Sequence, residues 1–401
     1  MKAEVIPGGT VTSARGFLAG ATRAGLKTRG GLDLGILYSE VPCVAAGLFT
    51  GNRIKAAPVL LCQEHIAGGR GQAIVVNAGC ANACTGEQGV EDAAEMASLG
   101  AKKLGISAQD VLVASTGVIG MRLPMELISA GIEKVALSKE GGHELAQAIT
   151  TTDTFAKERA VALDLGGMEL IIGGIAKGAG MIHPDLATLL CFLATDAAID
   201  AGFLERALRR AVDLSFNMLT IDGDTSPSDT LLILANGLAN NRKIEEGSAA
   251  AKAFQAALNE VCIYLAKCIA RDGEGATKLI EVAVEGALSA ADARVAARTV
   301  ACSPLVKAAV HGNDPNWGRI IAALGRSGAE IDGSKIDLFV NSICLMKGGS
   351  PHPFDDNEVR EAMKGAEVPI KVRLNLGSYA ATAWGCDLSE EYVTINSEYT
   401  T

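Results

Sequence analysis

Apolar residues recur at two different spacings along this chain, and the spacings alternate. From Val90 through Ala93, Ala94, Ala97, Ala101 and Leu104 they return every three or four positions, which predicts one buried helix face. Val111-Leu112-Val113-Ala114 is a short continuous run and predicts a buried strand ending at Ser115-Thr116-Gly117. Val161, Leu163 and Leu165 alternate, Gly166-Gly167 supplies a two-residue turn, and Met168, Leu170 and Ile172 alternate again, the pattern of a hairpin. A glycine-rich loop is expected over Gly173 to Gly180, with Lys177 at its centre. Leu189-Leu190-Cys191-Phe192-Leu193-Ala194 predicts a fully buried strand with Thr188 at its first residue, and Phe203 to Phe216 an amphipathic helix.

A long helix through Phe254, Leu258, Val261, Leu265 and Cys268 should stop at Arg271-Asp272-Gly273, with Gly273 taking the left-handed cap. Ile280, Val282 and Val284 predict one further strand, and Ile370, Val372, Leu374 and Leu376 another, with a surface loop at 348–353. Antiparallel hairpins with interspersed helices favour an α+β layered sandwich of two lobes.

Length and composition narrow the class. With 401 residues, 49% hydrophobic and 20% charged, the chain can bury ample core, and disorder is excluded. The formal net charge of −10 disfavours a nucleic-acid partner. Met1-Lys2-Ala3-Glu4 runs into a Pro7-Gly8-Gly9 break where an export signal would need an apolar core, and the apolar run Leu186–Ile199 is too short to span a bilayer. A cytoplasmic protein without membrane or nucleic-acid partners is the expectation.

Ten cysteines sit at irregular intervals, and the five histidines form neither HxH nor HExxH. Structural free thiols and no metal site are expected.

The chemistry concentrates in Lys177-Gly178-Ala179-Gly180-Met181-Ile182-His183-Pro184-Asp185-Leu186-Ala187-Thr188-Leu189-Leu190. A phosphate loop would need Ser or Thr after its lysine, and Lys177 is followed by Gly178-Ala179. Without other information the stretch is a loop feeding a core strand. It resembles, however, the KGxGMIxPxxATxL signature of the ornithine acetyltransferase, or glutamate N-acetyltransferase, family. The resemblance extends in order through Asn77–Gly86, Ser115–Gly120, Thr151–Thr154, Asp222–Ser226, Asp272–Lys278, Asn313–Arg319 and Asn396–Thr401. Ala179 stands where serine is common and Leu186 where methionine is common; neither change removes a chemical group assigned below.

The resemblance implies a self-processing N-terminal-threonine fold, cut between Ala187 and Thr188 into an alpha chain, 1–187, and a beta chain, 188–401. The physical logic is that a threonine hydroxyl is a weak nucleophile, and the α-amine that can activate it exists only after the preceding peptide bond is broken. That amine titrates at ~7.7–8.0, close to a working pH. No GxSxG elbow offers a serine alternative.

By resemblance Thr188 would carry acetyl from N2-acetylornithine to L-glutamate in ping-pong fashion, in arginine biosynthesis, with Thr116 and Gly117 as oxyanion hole. Thr151, Lys177, Thr188, Glu274, Asn396 and Thr401 would bind substrate, Lys177 and the hydroxyls meeting carboxylate and Glu274 the ammonium. No cofactor is implied, acetyl-CoA is left open as a second donor, and an α2β2 assembly is implied. The alternative is an N-terminal-nucleophile amidohydrolase or aminopeptidase of the same fold, in which water removes the acyl group; a non-enzymatic binding protein is a third.

Overall fold

The computed structural model describes residues 3–183 and 189–398. In chain order the strands are β1 (Ala3–Val5), β2 (Phe17–Thr22), β3 (Leu34–Phe49), β4 (Arg70–Cys80), β5 (Val111–Val118), β6 (Lys157–Asp164), β7 (Glu169–Lys177), β8 (Leu190–Thr195) and β9 (Thr230–Ala235). These form one sheet ordered β1-β6-β7-β8-β9-β3-β4-β5, with β2 on β3. A second sheet is ordered β13-β12-β11-β14-β10-β15, from β10 (Leu279–Ala287), β11 (Asp337–Val340), β12 (Ile343–Lys347), β13 (Ser350–Pro351), β14 (Glu367–Arg373) and β15 (Tyr379–Cys386). The molecule is α+β, as the alternating spacings indicated.

Helices Ala201–Leu214 and Ala249–Arg271 pack on each other and on the first sheet, and Ala249–Arg271 also reaches β10 and β15. Its length and apolar composition would allow it to cross a bilayer, but Phe254, Leu258, Val261, Leu265 and Ile269 are buried in the core between the two sheets. On the other face of the first sheet, Leu34, Ile36, Ile74, Val75, Phe192 and Leu232 pack with Met96 and Ala97 of helix Gly86–Leu104. Cysteines serve as core filler here: burial pushes the Cys43 and Cys62 thiols up to about 12, so neither is a ready nucleophile.

Several expectations need correction. Gly173 and Gly174 belong to strand β7 rather than to a loop, and Lys177 is the last residue of that strand. The glycines are there for close approach: a Cβ on Gly173 would stand 2.3 Å from the Thr10 carbonyl oxygen, and one on Gly174 would stand 2.5 Å from Leu193. The long helix does end at Arg271, but the left-handed glycine is Gly275, at φ +70°, not Gly273. Ser115, Thr116 and Gly117 do close the β5 strand as expected, whereas 348–353, expected as a surface loop, holds the short strand β13 as well as a turn. Finally, β4/β5, β8/β9 and β10/β14 pair in parallel, a long-range choice that local periodicity does not encode.

The expected division at residue 187 meets a continuous sheet. β7 and β8 flank it in sequence and are hydrogen-bonded neighbours, with Ile172 opposite Thr195 and Lys177 opposite Leu190.

Candidate active site

The C-terminal ends of β5 and β7 and the start of β8 converge on a small cavity of about 120 Å³. Its wall includes Ala81, Thr116, Gly117 and Ile119 from the first half of the chain, then Thr151, Thr152, Lys177, Gly180, Met181 and Ile182. Leu189, Leu190, Ser226, Ser228, Asp229, Glu274 and Asn396 complete it. Six residues singled out in the sequence therefore line one pocket: Thr116, Gly117, Thr151, Lys177, Glu274 and Asn396. Ala187, Thr188 and Thr401 lie outside the described residues.

The β5 end is built by two glycines in register. Gly79 of β4 and Gly117 of β5 are paired, and each has positive φ, +113° and +125°. A Cβ on Gly117 would come within 2.4 Å of the Gly79 backbone, so only glycine fits. Ser115 donates to Asn77 Oδ1 at 2.6 Å, and Asn77 Nδ2 donates to the Cys80 carbonyl at 2.9 Å, tying the two strand ends together.

Behind Lys177 lies an ion triad that the sequence did not disclose. Lys157, fully buried, donates to Asp153 at 2.6 Å and to Asp272 at 2.5 Å. Asp153 also accepts from the Gly178 amide at 2.7 Å and the Thr151 amide at 3.0 Å, and Asp272 accepts from the Thr154 amide and hydroxyl. Three segments that carry pocket residues, 151–154, 177–178 and 272–274, are thus fixed by one lysine. Burial alone would raise the Asp153 carboxyl, but Lys157, Lys177 and the Thr151 amide hold it down at about 2. The four-residue spacing of Asp153 and Lys157 was the only local hint.

Glu274 is held by its amide, which donates to the Ala179 carbonyl at 2.8 Å, and by Asn396 Nδ2, which donates to Oε2 at 2.8 Å. Gly180 makes room for it, since a Cβ there would stand 2.5 Å from the carboxyl. The loop carrying Gly180 is pinned by Asp222, which accepts from the Met181 and Ile182 amides at 2.6 and 2.9 Å and holds Met181 at φ +55°. The Lys177 ammonium makes no hydrogen bond or ion pair among the described residues. Burial lowers its ammonium, while Asp153, Asp229 and Glu274 draw it back up. Asp229, Ser226 and Ser228 also face the cavity and were not expected.

An α+β protein with a buried pocket of metabolite size, lined by one free lysine, two carboxyls and several hydroxyls, is the frame of an enzyme acting on small polar molecules. Residues 18–401 match the ArgJ family, and the chain belongs to that family. It is 51% identical over 400 residues to the arginine biosynthesis bifunctional protein ArgJ of Dehalococcoides mccartyi (strain CBDB1), covering 99% of each chain. Its identity to the protein of the same name from Symbiobacterium thermophilum is 54% over 397 residues, 98% of this chain and 99% of that one. The crystal structure of arginine biosynthesis bifunctional protein argJ from Bacillus halodurans matches with a TM-score of 0.51 at 44% identity, covering 52% of this chain and 98% of that one.

Proposed function

We propose that this ArgJ-family chain cuts itself between Ala187 and Thr188, and that Thr188 then carries the acetyl group of N2-acetylornithine as an ester until L-glutamate removes it. The coarser statement follows from family membership: the protein is an acyltransferase of arginine biosynthesis. One observation carries the finer reading. The cavity gathers Thr116, Gly117, Lys177 and Glu274 against Leu189 and Leu190, the two residues that directly follow Thr188 in the chain.

In the first half-reaction the Thr188 hydroxyl attacks the acetyl carbonyl, its proton passing to the α-amine of the same residue. The tetrahedral oxyanion rests against Thr116 and Gly117, the amide C–N bond breaks, and ornithine leaves with that proton on its nitrogen. In the second, the glutamate amine attacks the ester, its proton returns to the threonine oxygen, and N-acetylglutamate departs. Lys177, Thr151 and Thr401 receive carboxylate, while Glu274, steadied by Asn396, receives ammonium. The water-accepting amidohydrolase reading is not favoured, because the family is one of acetyl transfer in biosynthesis.

The alpha chain, 1–187, and the beta chain, 188–401, would stay together because β7 and β8 share a sheet and the Ile172, Leu193 and Leu231 core spans both. The solved Bacillus halodurans chain, about half as long as this one by the coverage given above, supports a cut product of that size. The expected assembly is α2β2 in the cytoplasm, with acetyl-CoA serving as a second acetyl donor, in keeping with relatives named as bifunctional.

Purified protein should yield two polypeptides of 187 and 214 residues, the second beginning at threonine. Intact mass and Edman sequencing decide; a fully active uncut chain would overturn the mechanism. Gly180→Ala offers a check on Glu274. The new methyl meets only the end of a flexible side chain, so thermal stability should hardly change. Donor kcat/KM should nevertheless fall roughly ten- to hundredfold from the displaced carboxyl, as steady-state assays would show. An unaltered kcat/KM removes Glu274 from the substrate contacts.

A further inference from the structure

The pocket holds a second buried carboxyl that the substrate contacts above do not use. Asp229 is 3% exposed and faces the cavity, and its Oδ2 has no hydrogen-bond partner among the described residues. An orphaned carboxylate oxygen at this depth is costly unless something else satisfies it. Burial holds the carboxyl well above the usual range, with Lys177 and the Ser226 and Thr50 hydroxyls pulling it back. The cavity thus presents one unpartnered cation, Lys177, and one unpartnered carboxyl oxygen, on Asp229.

The backbone fixes where that oxygen acts. Asp229 immediately precedes β9, and the amide of the next residue, Thr230, donates to the Leu189 carbonyl at 2.9 Å. Asp229 therefore flanks Leu189, just before β8 and one residue beyond the Thr188 position along the chain. The substrate atom that must come to that place is the α-nitrogen, because it is the atom that leaves in the first half-reaction and attacks in the second. Glu274 has Oε2 already occupied by Asn396. It is left to meet the side-chain ammonium of the donor.

We propose that Asp229 is a substrate-binding residue of this site, its Oδ2 accepting from the α-nitrogen of the amino acid while Lys177 receives the α-carboxylate. The proposal rests on the acetyl-transfer reading for the identity of the substrates, and on the orphaned oxygen for the contact itself. It makes the Lys177–Asp229 pair a reader of the α-amino-acid zwitterion: glutarate, which keeps both carboxylates of glutamate but has no amine, forfeits only the Asp229 contact.

Calorimetric titration of the cleaved protein with glutamate and with glutarate tests this. Asp229→Asn should weaken glutamate binding by roughly 10- to 100-fold, the range for losing a charge-assisted hydrogen bond. Glutarate binding should stay about the same, because glutarate has no nitrogen for Asp229 to meet. Asp229→Glu should restore part of the glutamate affinity. Equal weakening of both ligands would reduce Asp229 to a support for Lys177 or for the fold, and an unchanged preference for glutamate would remove the contact altogether; either overturns the proposal. Should the variants fail to fold or to mature, a structure of the wild-type protein with glutamate bound decides. The α-nitrogen must then lie within about 3.2 Å of Asp229 Oδ2, and a nitrogen placed elsewhere overturns the assignment. An acetyl-transfer assay on the wild-type protein separates the two failures: no transfer from N2-acetylornithine sinks the underlying reading, whereas transfer with no glutamate-over-glutarate effect at Asp229 sinks this one alone.

Discussion

Thr188→Ala should leave a single 401-residue polypeptide with no acetyl transfer, while Thr188→Ser should retain part of both activities. The asymmetry follows from chemistry. Alanine removes the hydroxyl that attacks the preceding carbonyl, so the cut fails, and without the cut no α-amine is generated to act as base. A serine keeps an oxygen at the same place but lacks the methyl that narrows its rotamers. Loss of a covalent nucleophile costs on the order of 10⁴- to 10⁶-fold in turnover in serine proteases, whose acyl-enzyme chemistry is similar. Gel electrophoresis of the variant and a transfer assay with N2-acetylornithine and glutamate read the two activities independently. Thr188→Ala protein that is cleaved, or that transfers acetyl at the wild-type rate, would require another nucleophile.

Much of the scaffold was legible because it is locally encoded. The periodic run Val90–Leu104 became the helix Gly86–Leu104, and the Gly166-Gly167 turn joined β6 to β7. What failed was glycine whose purpose is tertiary. Gly173 and Gly174 read as loop because a run of glycines weakens any strand pattern, yet they lie under Thr10 and Leu193, contacts invisible along the chain. The left-handed position lies at Gly275, and Gly273 is glycine instead because it packs against Cys386, where a Cβ would stand 2.6 Å from the sulfur. Both glycines were in view; the reason Gly273 must lack a side chain lies in a strand more than a hundred residues away.

The pocket shows the same division. Thr116, Thr151, Lys177, Glu274 and Asn396 come from five separate segments, and no periodicity links them; only the family resemblance joined them in advance. Lys157 and Asp229 escaped because a charged residue beside a strand reads as a solvated one until its partners or its cavity are known. Their burial is a property of convergence in space. The same argument explains how a cut chain would hold together, since β7 and β8, which carry pocket residues on either side of residue 187, are neighbours in one sheet.

Lys157→Met tests that convergence and should be among the most destabilising substitutions in the molecule, by about 3–5 kcal/mol at neutral pH. The methionine fits the volume but leaves Asp153 and Asp272 facing each other in a dry site without the cation between them. The sign of the pH dependence separates this cause from a simple packing defect. In the wild type the folded Asp153 carboxyl is held at about 2, below its ordinary 3.8. Its contribution is therefore present above pH 3.8 and lost as the pH falls toward 2. In the variant the charged form becomes the disfavoured one, and the folded value moves above the unfolded one. The penalty is then complete at high pH and relieved as falling pH protonates a carboxyl. Denaturant unfolding at pH 7 and pH 5 should accordingly show a stability deficit that narrows at the lower pH. A deficit of equal size at both, or one below about 1 kcal/mol, would mean that the triad does not hold these segments. Lys177 also acts on Asp153, so the surviving folded protein should draw it toward that carboxylate and away from the cavity. Substrate affinity would then fall together with stability, which links the buried lysine to the site it does not touch.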